Sequence, residues 1–222
     1  MLEKFLPRID FDSYEDFKAN YKVNIPDGFN FAYDVVDDWA KQDKDMPACN
    51  DNGVRKLYSF EDLRILSNKA ANFFASIGIT KGDRVMLMLK QRPEAWICIL
   101  GLCKIGAVCI PATFQLTQKD IVYRCNTAKV KAIVAVDDAN IIKAISDAQP
   151  ECNTLNNVAI VGDNIPEGYI DFRNPYVNLS GELERIPNEV IDPMLLYFSS
   201  GTTGMPKMIL HNYAYPIGHI LT

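Results

Sequence analysis

Arg84-Val-Met-Leu-Met-Leu-Lys-Gln-Arg-Pro-Glu-Ala-Trp-Ile-Cys-Ile-Leu-Gly-Leu-Cys-Lys-Ile-Gly-Ala-Val-Cys-Ile-Pro-Ala112 decides the fold class. Arg84 to Leu89 is an almost unbroken apolar run of strand length, and Val108 to Ala112 is a second. Runs of this kind suit strands buried on both faces of a parallel sheet. Between them, Pro93 to Ile105 reads as a helix that opens on proline, whose missing N–H is harmless in the first turn. The rival reading is a single membrane span from Ala95 to Ala112. A span needs roughly twenty apolar residues, and Gly101, Lys104 and Gly106 interrupt this one. No membrane span is expected.

The same alternation continues outward. Downstream come a helix over 119–126 with Thr117 as its cap, a strand over 131–136, a helix over 139–148 and a strand over 158–161. Upstream, Asn52-Gly53 signals a turn before a short strand over 54–58. Ser59 then caps a helix whose buried stripe is Leu63, Leu66, Ala70, Phe73 and Phe74, and Gly78 ends it. Strands alternating with helices predict an α/β fold, a mostly parallel sheet flanked by helices. Residues 1–45 read as an N-terminal helical region, and 46–222 as the sheet-bearing domain. In the N-terminal region Phe11, Tyr14, Phe17 and Tyr21 recur at helical spacing, followed by Phe31, Val35, Val36 and Trp39; both stripes are expected in the core. The stretch from Gly162 to about Pro187 reads as loop, 194–198 as a strand, and 213–221 as a helix.

Composition narrows the function. An apolar content of 48% supports a real core, and a net charge of −5 argues against nucleic acid, which needs clustered basic residues. Six cysteines, at 49, 98, 103, 109, 125 and 152, carry neither a zinc spacing nor a dense disulfide framework. They look like buried thiols of a reducing compartment, and the opening Met-Leu-Glu-Lys-Phe-Leu-Pro is too short and interrupted for a signal peptide, so a cytoplasmic location is expected. No metal-ligating set is assigned.

Tyr197-Phe-Ser-Ser-Gly-Thr-Thr-Gly-Met-Pro-Lys207 carries the chemistry. Glycine permits positive φ and close approach of the backbone to a bulky anion. Hydroxyls and free N–H groups then face phosphate oxygens, and lysine adds a point charge. The spacing is not that of the Walker A loop, which needs four residues between its glycines and a Gly-Lys-Ser/Thr ending. Here two residues separate Gly201 from Gly204, and Met208 follows Lys207.

This segment resembles the phosphate-binding signature of the adenylate-forming superfamily. Tyr58-Ser-Phe-Glu-Asp-Leu63, Asn68-Lys-Ala-Ala-Asn72 and Gly78-Ile-Thr-Lys-Gly-Asp-Arg-Val85 resemble its N-terminal landmarks, and Gln91-Arg-Pro-Glu-Ala-Trp96 and Gly106-Ala-Val-Cys-Ile-Pro-Ala112 continue the likeness. Phe29-Asn-Phe-Ala-Tyr-Asp-Val-Val-Asp-Asp-Trp39, Pro111-Ala-Thr-Phe-Gln115 and Asp120-Ile-Val-Tyr-Arg124 are similar to medium-chain acyl-CoA synthetases. So are Lys131-Ala-Ile-Val134 and Pro206-Lys-Met208 with His211. Ser199 stands where Thr is commoner, without loss of a hydroxyl.

The resemblance implies an enzyme that joins a carboxylic acid to ATP as acyl-adenylate and passes the acyl group to CoA, releasing AMP and pyrophosphate. It assigns Ser199, Ser200, Gly201, Thr202, Thr203, Gly204, Met205, Pro206 and Lys207 to the phosphates. Thr202, Thr203 and the N–H groups of Gly201 and Gly204 would hold the β and γ groups, with Lys207 as the catalytic charge. Mg²⁺ is implied with the triphosphate, its acidic ligand lying beyond Thr222. His211 is assigned to the acyl side and Gln115 to the CoA side, each weighed against a purely structural role. Residues 46–222 then read as the first part of the AMP-binding large domain, cut inside a helix. Such a piece is expected to be inactive alone and to self-associate through uncovered apolar surface. Two other readings stay open: a relative with another acyl acceptor, and a non-catalytic nucleotide-binding module.

Overall fold

The computed structural model describes residues 2–42, 49–51, 54–200 and 204–220, with backbone alone at 49–51, 54–56 and 174–175. In chain order, α1 is Tyr14–Asn20, and a π-helical turn at Ala32–Val36 runs into α2 at Asp37–Ala40. Cys49–Asp51 (β1) and Val54–Lys56 (β2) pair as a small antiparallel ribbon; the Asn52-Gly53 turn lies outside the described residues. The alternating core follows: α3 Phe60–Ser76, β3 Arg84–Met88, α4 Pro93–Lys104, β4 Val108–Pro111, α5 Gln118–Ala128, β5 Val130–Val136, α6 Ala139–Ala148 and β6 Asn157–Val161. The last elements are β7 Ile170–Asp171, α7 Arg173–Asn178, β8 Pro193–Ser199, β9 Lys207–Asn212 and α8 Tyr215–Gly218.

One seven-stranded sheet, in the order β7-β6-β5-β3-β4-β8-β9, holds the core. Every pair is parallel except β8 with β9. The connection from β3 through α4 runs one way across the sheet; those through α5 and α6 run the other. Right-handed crossovers therefore place α4 on one face and α5 with α6 on the opposite face. Consistent with this, α4 packs on α3, and α5 packs on α6.

Local chemistry explains the helix starts. Ser59 accepts the Asp62 N–H at 3.0 Å while the Asp62 carboxylate accepts the Ser59 N–H at 2.8 Å. Thr117 and Asp120 repeat this reciprocal cap at α5, an arrangement that satisfies two orphan donors at once. Gly101 sets the helix spacing, because a Cβ there would lie 2.8 Å from Ala70 Cβ and 3.0 Å from α3 backbone. Close approach of α3 and α4 needs no side chain at that point.

Lys104, the lone charge in the apolar 95–112 run, is fully buried. Its Nζ donates to Asp37 Oδ1 at 2.8 Å and to Asn68 Oδ1 at 2.7 Å. Burial pushes the Lys104 pKa down and the Asp37 pKa up, against the attraction between them. The pair ties α2, α3 and α4 together. Among the described residues no helix is long and apolar enough to cross a membrane.

Three expectations are corrected. The 162–187 stretch is not all loop, since it contains β7 and α7, and α7 packs on α3. Residues 207–212, left unassigned by the sequence, are a strand, and the helix expected over 213–221 covers only Tyr215–Gly218 among the described residues. The Phe11, Phe17 and Tyr21 rings pack on one another, with Phe17 and Tyr21 centroids 4.9 Å apart, but outside the core; Tyr14 is exposed. The second stripe behaves as expected, with Val35 and Val36 buried.

All five cysteines whose side chains are described are buried and free. Burial raises every one of their pKa values, that of Cys103 to about 12. A thiol must ionise and be reached to react. Iodoacetamide at pH 8 is therefore expected to leave Cys98, Cys103, Cys109, Cys125 and Cys152 unmodified in the folded chain, as read by mass spectrometry. Labelling of any of them ahead of unfolding would contradict this assignment.

Candidate phosphate-binding hairpin

β8 lies parallel to β4, which lies parallel to β3. The carboxyl end of β8 therefore opens on the same edge as the carboxyl ends of β3, β4 and β5, the edge where open α/β sheets bind their ligands. β8 continues the apolar series with Met194, Leu195 and Leu196 buried, then gives way to half-buried Phe198 and Ser199. From Ser200 the chain turns and returns as antiparallel β9, with Ser199 directly opposite Lys207. Gly201, Thr202 and Thr203 lie outside the described residues. Ser200 is exposed at one side of the turn; Gly204, at φ +109°, and exposed Met205 stand at the other. Only glycine adopts that backbone conformation without strain.

Strand alternation sorts the side chains of the hairpin. Ser199, Lys207, Tyr197, Ile209, Leu195 and His211 share one face; Phe198, Met208, Leu196 and Leu210 share the other. The second face turns toward α5, because the Tyr123 ring lies edge-on to Phe198 at 6.2 Å. Lys207 is exposed. It thus stands at the mouth of the turn, across from a serine hydroxyl, where an anion held by the loop would meet it. Pro206 is held by Tyr123, whose hydroxyl donates to its carbonyl at 2.9 Å.

Electrostatics favour an anion here. All 28 Asp and Glu residues precede Pro193, so β8, the turn and β9 carry no carboxylate of their own. Arg124, only 12% exposed, adds a guanidinium 5.2 Å above the Phe198 ring. Among the described residues no group of His, Cys, Asp or Glu could hold a metal ion.

The two substrate-side candidates are placed differently. Gln115 is exposed in the turn after β4, at the same sheet edge as the loop; its N–H donates to Thr113 Oγ1 at 3.3 Å. His211 is inside β9, four residues from Lys207, rather than after a strand. Its ring lies 3.9 Å from Tyr215 and 5.7 Å from Tyr197, and Tyr215 in turn meets His219 at 4.7 Å. Among the described residues no hydrogen bond joins Gln115 or His211 to Lys207. Tyr123 and Arg124 were legible only as part of the Asp120-Ile-Val-Tyr-Arg124 resemblance; their contacts with Pro206 and Phe198 are long-range and carry no local signal.

Comparison with known proteins identifies the family and the fold. The family model described as AMP-binding enzyme matches residues 36–221. The acyl-coenzyme A synthetase ACSM3, mitochondrial, of Mus musculus is 36% identical over 214 residues, covering 92% of this chain and 37% of that protein. The acyl-coenzyme A synthetase ACSM5, mitochondrial, of Rattus norvegicus is 38% identical over 210 residues, covering 90% and 36%. The crystal structure of the Brucella canis acyl-CoA synthetase superposes with a TM-score of 0.81 at 27% identity, over 94% of this chain and 39% of that one. The chain spans little more than a third of the length of the curated relatives it matches.

Proposed function

The chain belongs to the AMP-binding enzyme family, and from this premise we propose that it supplies the triphosphate-gripping hairpin of an AMP-forming acid–CoA ligase. The observation that carries the reading is the β8–β9 turn at the carboxyl edge of the sheet, with Lys207 facing Ser199 in a segment free of carboxylates. In the first step a substrate carboxylate oxygen bonds the α-phosphorus of ATP while the bond to pyrophosphate breaks. In the second, the CoA sulfur bonds the acyl carbon, AMP leaves and the thiol proton passes to solvent. The leaving pyrophosphate accumulates charge, and a fixed lysine with oriented N–H and hydroxyl donors stabilises it.

Ser199, Ser200, Gly201, Thr202, Thr203, Gly204, Met205, Pro206 and Lys207 form the phosphate contact in this proposal. Mg²⁺ supplies charge neutralisation on the phosphate oxygens. The hydroxyls and lysine of the hairpin fit the phosphates rather than the ion, since no carboxylate follows Asp192. Gln115 is assigned to the CoA side, supported by its place at the same sheet edge, and His211 to the acyl side.

Residues 1–45 are assigned as an N-terminal helical region and 46–222 as the first part of the AMP-binding large domain. Phe5, Phe29 and Val35 form a small cluster with Ile217 of α8, and Ala32 and Val36 join the main core, so the N-terminal region packs onto the larger domain. Self-association is proposed through β9, an edge strand with Met208, Ile209 and Leu210 all exposed. The compartment is a reducing interior; the relatives' names say mitochondrial, and cell fractionation decides between that and the cytoplasm.

The substrate is proposed to be a straight or aromatic carboxylic acid of modest length. Acetate, butyrate, octanoate, benzoate and palmitate, assayed with ATP, Mg²⁺ and CoA in the full polypeptide carrying these residues, are expected to give the highest kcat/KM for the middle three. A high value for acetate alone would overturn the substrate class. The 222 residues assayed alone are expected to yield no acyl-CoA by mass spectrometry, because they span little more than a third of the length of the relatives they match. Clear turnover would show that the hairpin needs nothing more.

A further inference from the structure

We propose that Tyr123 is a positioning residue that clamps both stems of the phosphate loop to helix α5; this rests on the phosphate-loop reading above. The loop leaves the sheet after Phe198 and Ser199 and re-enters it at Lys207, preceded by Pro206. Tyr123 touches both sides. Its ring lies edge-on to Phe198, with centroids 6.2 Å apart and planes at 67°. Its hydroxyl donates to the Pro206 carbonyl at 2.9 Å. Proline has no N–H, so that carbonyl is the only backbone group with which Pro206 can be anchored.

The neighbouring residue reinforces the grip. Arg124 lies 5.2 Å over the Phe198 ring and is held on its own helix by the Asp120 carbonyl at 3.2 Å and the Asp120 carboxylate at 3.4 Å. Helix α5 makes a rigid base. Its first turn is locked by the Thr117–Asp120 cap, and Ile121 and Cys125 are fully buried beneath it.

A glycine-rich turn can change shape to admit and release a phosphate chain only if its ends stay fixed. The next residue after Pro206 is Lys207, so slack at Pro206 passes directly to the charged side chain. Fixing the first residue of β9 therefore preorganises that charge, and preorganised charge is what stabilises an anion at least cost. Because its hydroxyl is already engaged by Pro206, Tyr123 acts through the loop rather than on the nucleotide.

The test is Tyr123→Phe in the 222-residue chain, which removes one hydroxyl and keeps the ring. Limited trypsin digestion reads the loop directly, since Lys207 is exposed. Without ligand, cleavage after Lys207 is expected to rise about three- to tenfold, the range set by loss of one ordinary hydrogen bond. The Mg·ATP concentration that half-protects this site is expected to rise by a similar factor. Cleavage elsewhere and the thermal midpoint should stay near wild type, whereas a general loss of stability would accelerate every site. Phe198→Leu, which removes the other contact, should loosen the same bond selectively. Wild-type cleavage and protection in both variants would overturn the clamp. If Mg·ATP fails to protect wild type at all, the phosphate-loop reading falls, and the ligand-free comparison still decides whether Tyr123 holds the loop.

Discussion

Lys207→Ala is expected to slow carboxylate-dependent exchange of labelled pyrophosphate into ATP by about 100-fold in the full polypeptide, a loss typical of removing one preorganised charge or donor from a transition state. The exposed ammonium at the mouth of the β8–β9 turn has no carboxylate near it in sequence to neutralise it. Among the described residues Lys207 makes no ion pair. ATP binding should fall less than turnover, because the developing charge on pyrophosphate exceeds that of bound ATP. Lys207→Arg should recover part of the rate by keeping the charge, though its planar fork differs from an ammonium. Gly204→Val should be at least as damaging by a different route, since a β-branched residue at φ +109° strains the turn itself. Unchanged exchange with unchanged ATP affinity in Lys207→Ala would remove this lysine from the site.

Lys104→Ala is expected to cost about 3 kcal/mol or more of folding stability in urea denaturation, with no route through the phosphate loop. The lysine is fully buried, and its departure strands the Asp37 carboxylate, itself largely buried, and the Asn68 amide oxygen. Lys104→Met paired with Asp37→Leu should recover most of the loss. Exchanging a buried ion pair for apolar side chains of similar volume is often nearly neutral, whereas breaking one side of it is not. A Lys104→Ala cost below about 1 kcal/mol would show that water reaches Asp37 and that the pair does not bind α2 to α3 and α4.

The parts of the fold legible in the sequence were those specified locally. Ser59 and Thr117 announce α3 and α5 because their caps are completed three residues on, by Asp62 and Asp120. The apolar runs at Arg84, Val108 and Val130 announce buried strands because both of their faces are covered. β9 was illegible for the opposite reason. Lys207-Met-Ile-Leu-His-Asn212 has no clean alternation, and what makes it a strand is pairing with β8 across a long turn. Its apolar residues remain exposed, so hydrophobic pattern carries no information about the face they choose. β7 is two residues long and owes its existence to the β6 edge. The aromatics around α1 misled because helical spacing predicts a shared face but not what covers it. The glycines, hydroxyls and lysine of the loop were legible as a string; the clamp by Tyr123 was not, since 83 residues separate it from Pro206.

In the proposed reaction these residues grip the β and γ phosphates while bond cleavage occurs at the α-phosphorus. The most direct measurement is the identity of the nucleotide product, followed by ³¹P NMR in the full polypeptide supplied with ATP, Mg²⁺, CoA and a carboxylic acid such as octanoate. AMP and pyrophosphate should appear together in equal amounts, only when the acid is present, and Lys207→Ala should slow both equally. Formation of ADP and orthophosphate instead would place the reaction at the γ-phosphorus and contradict the account.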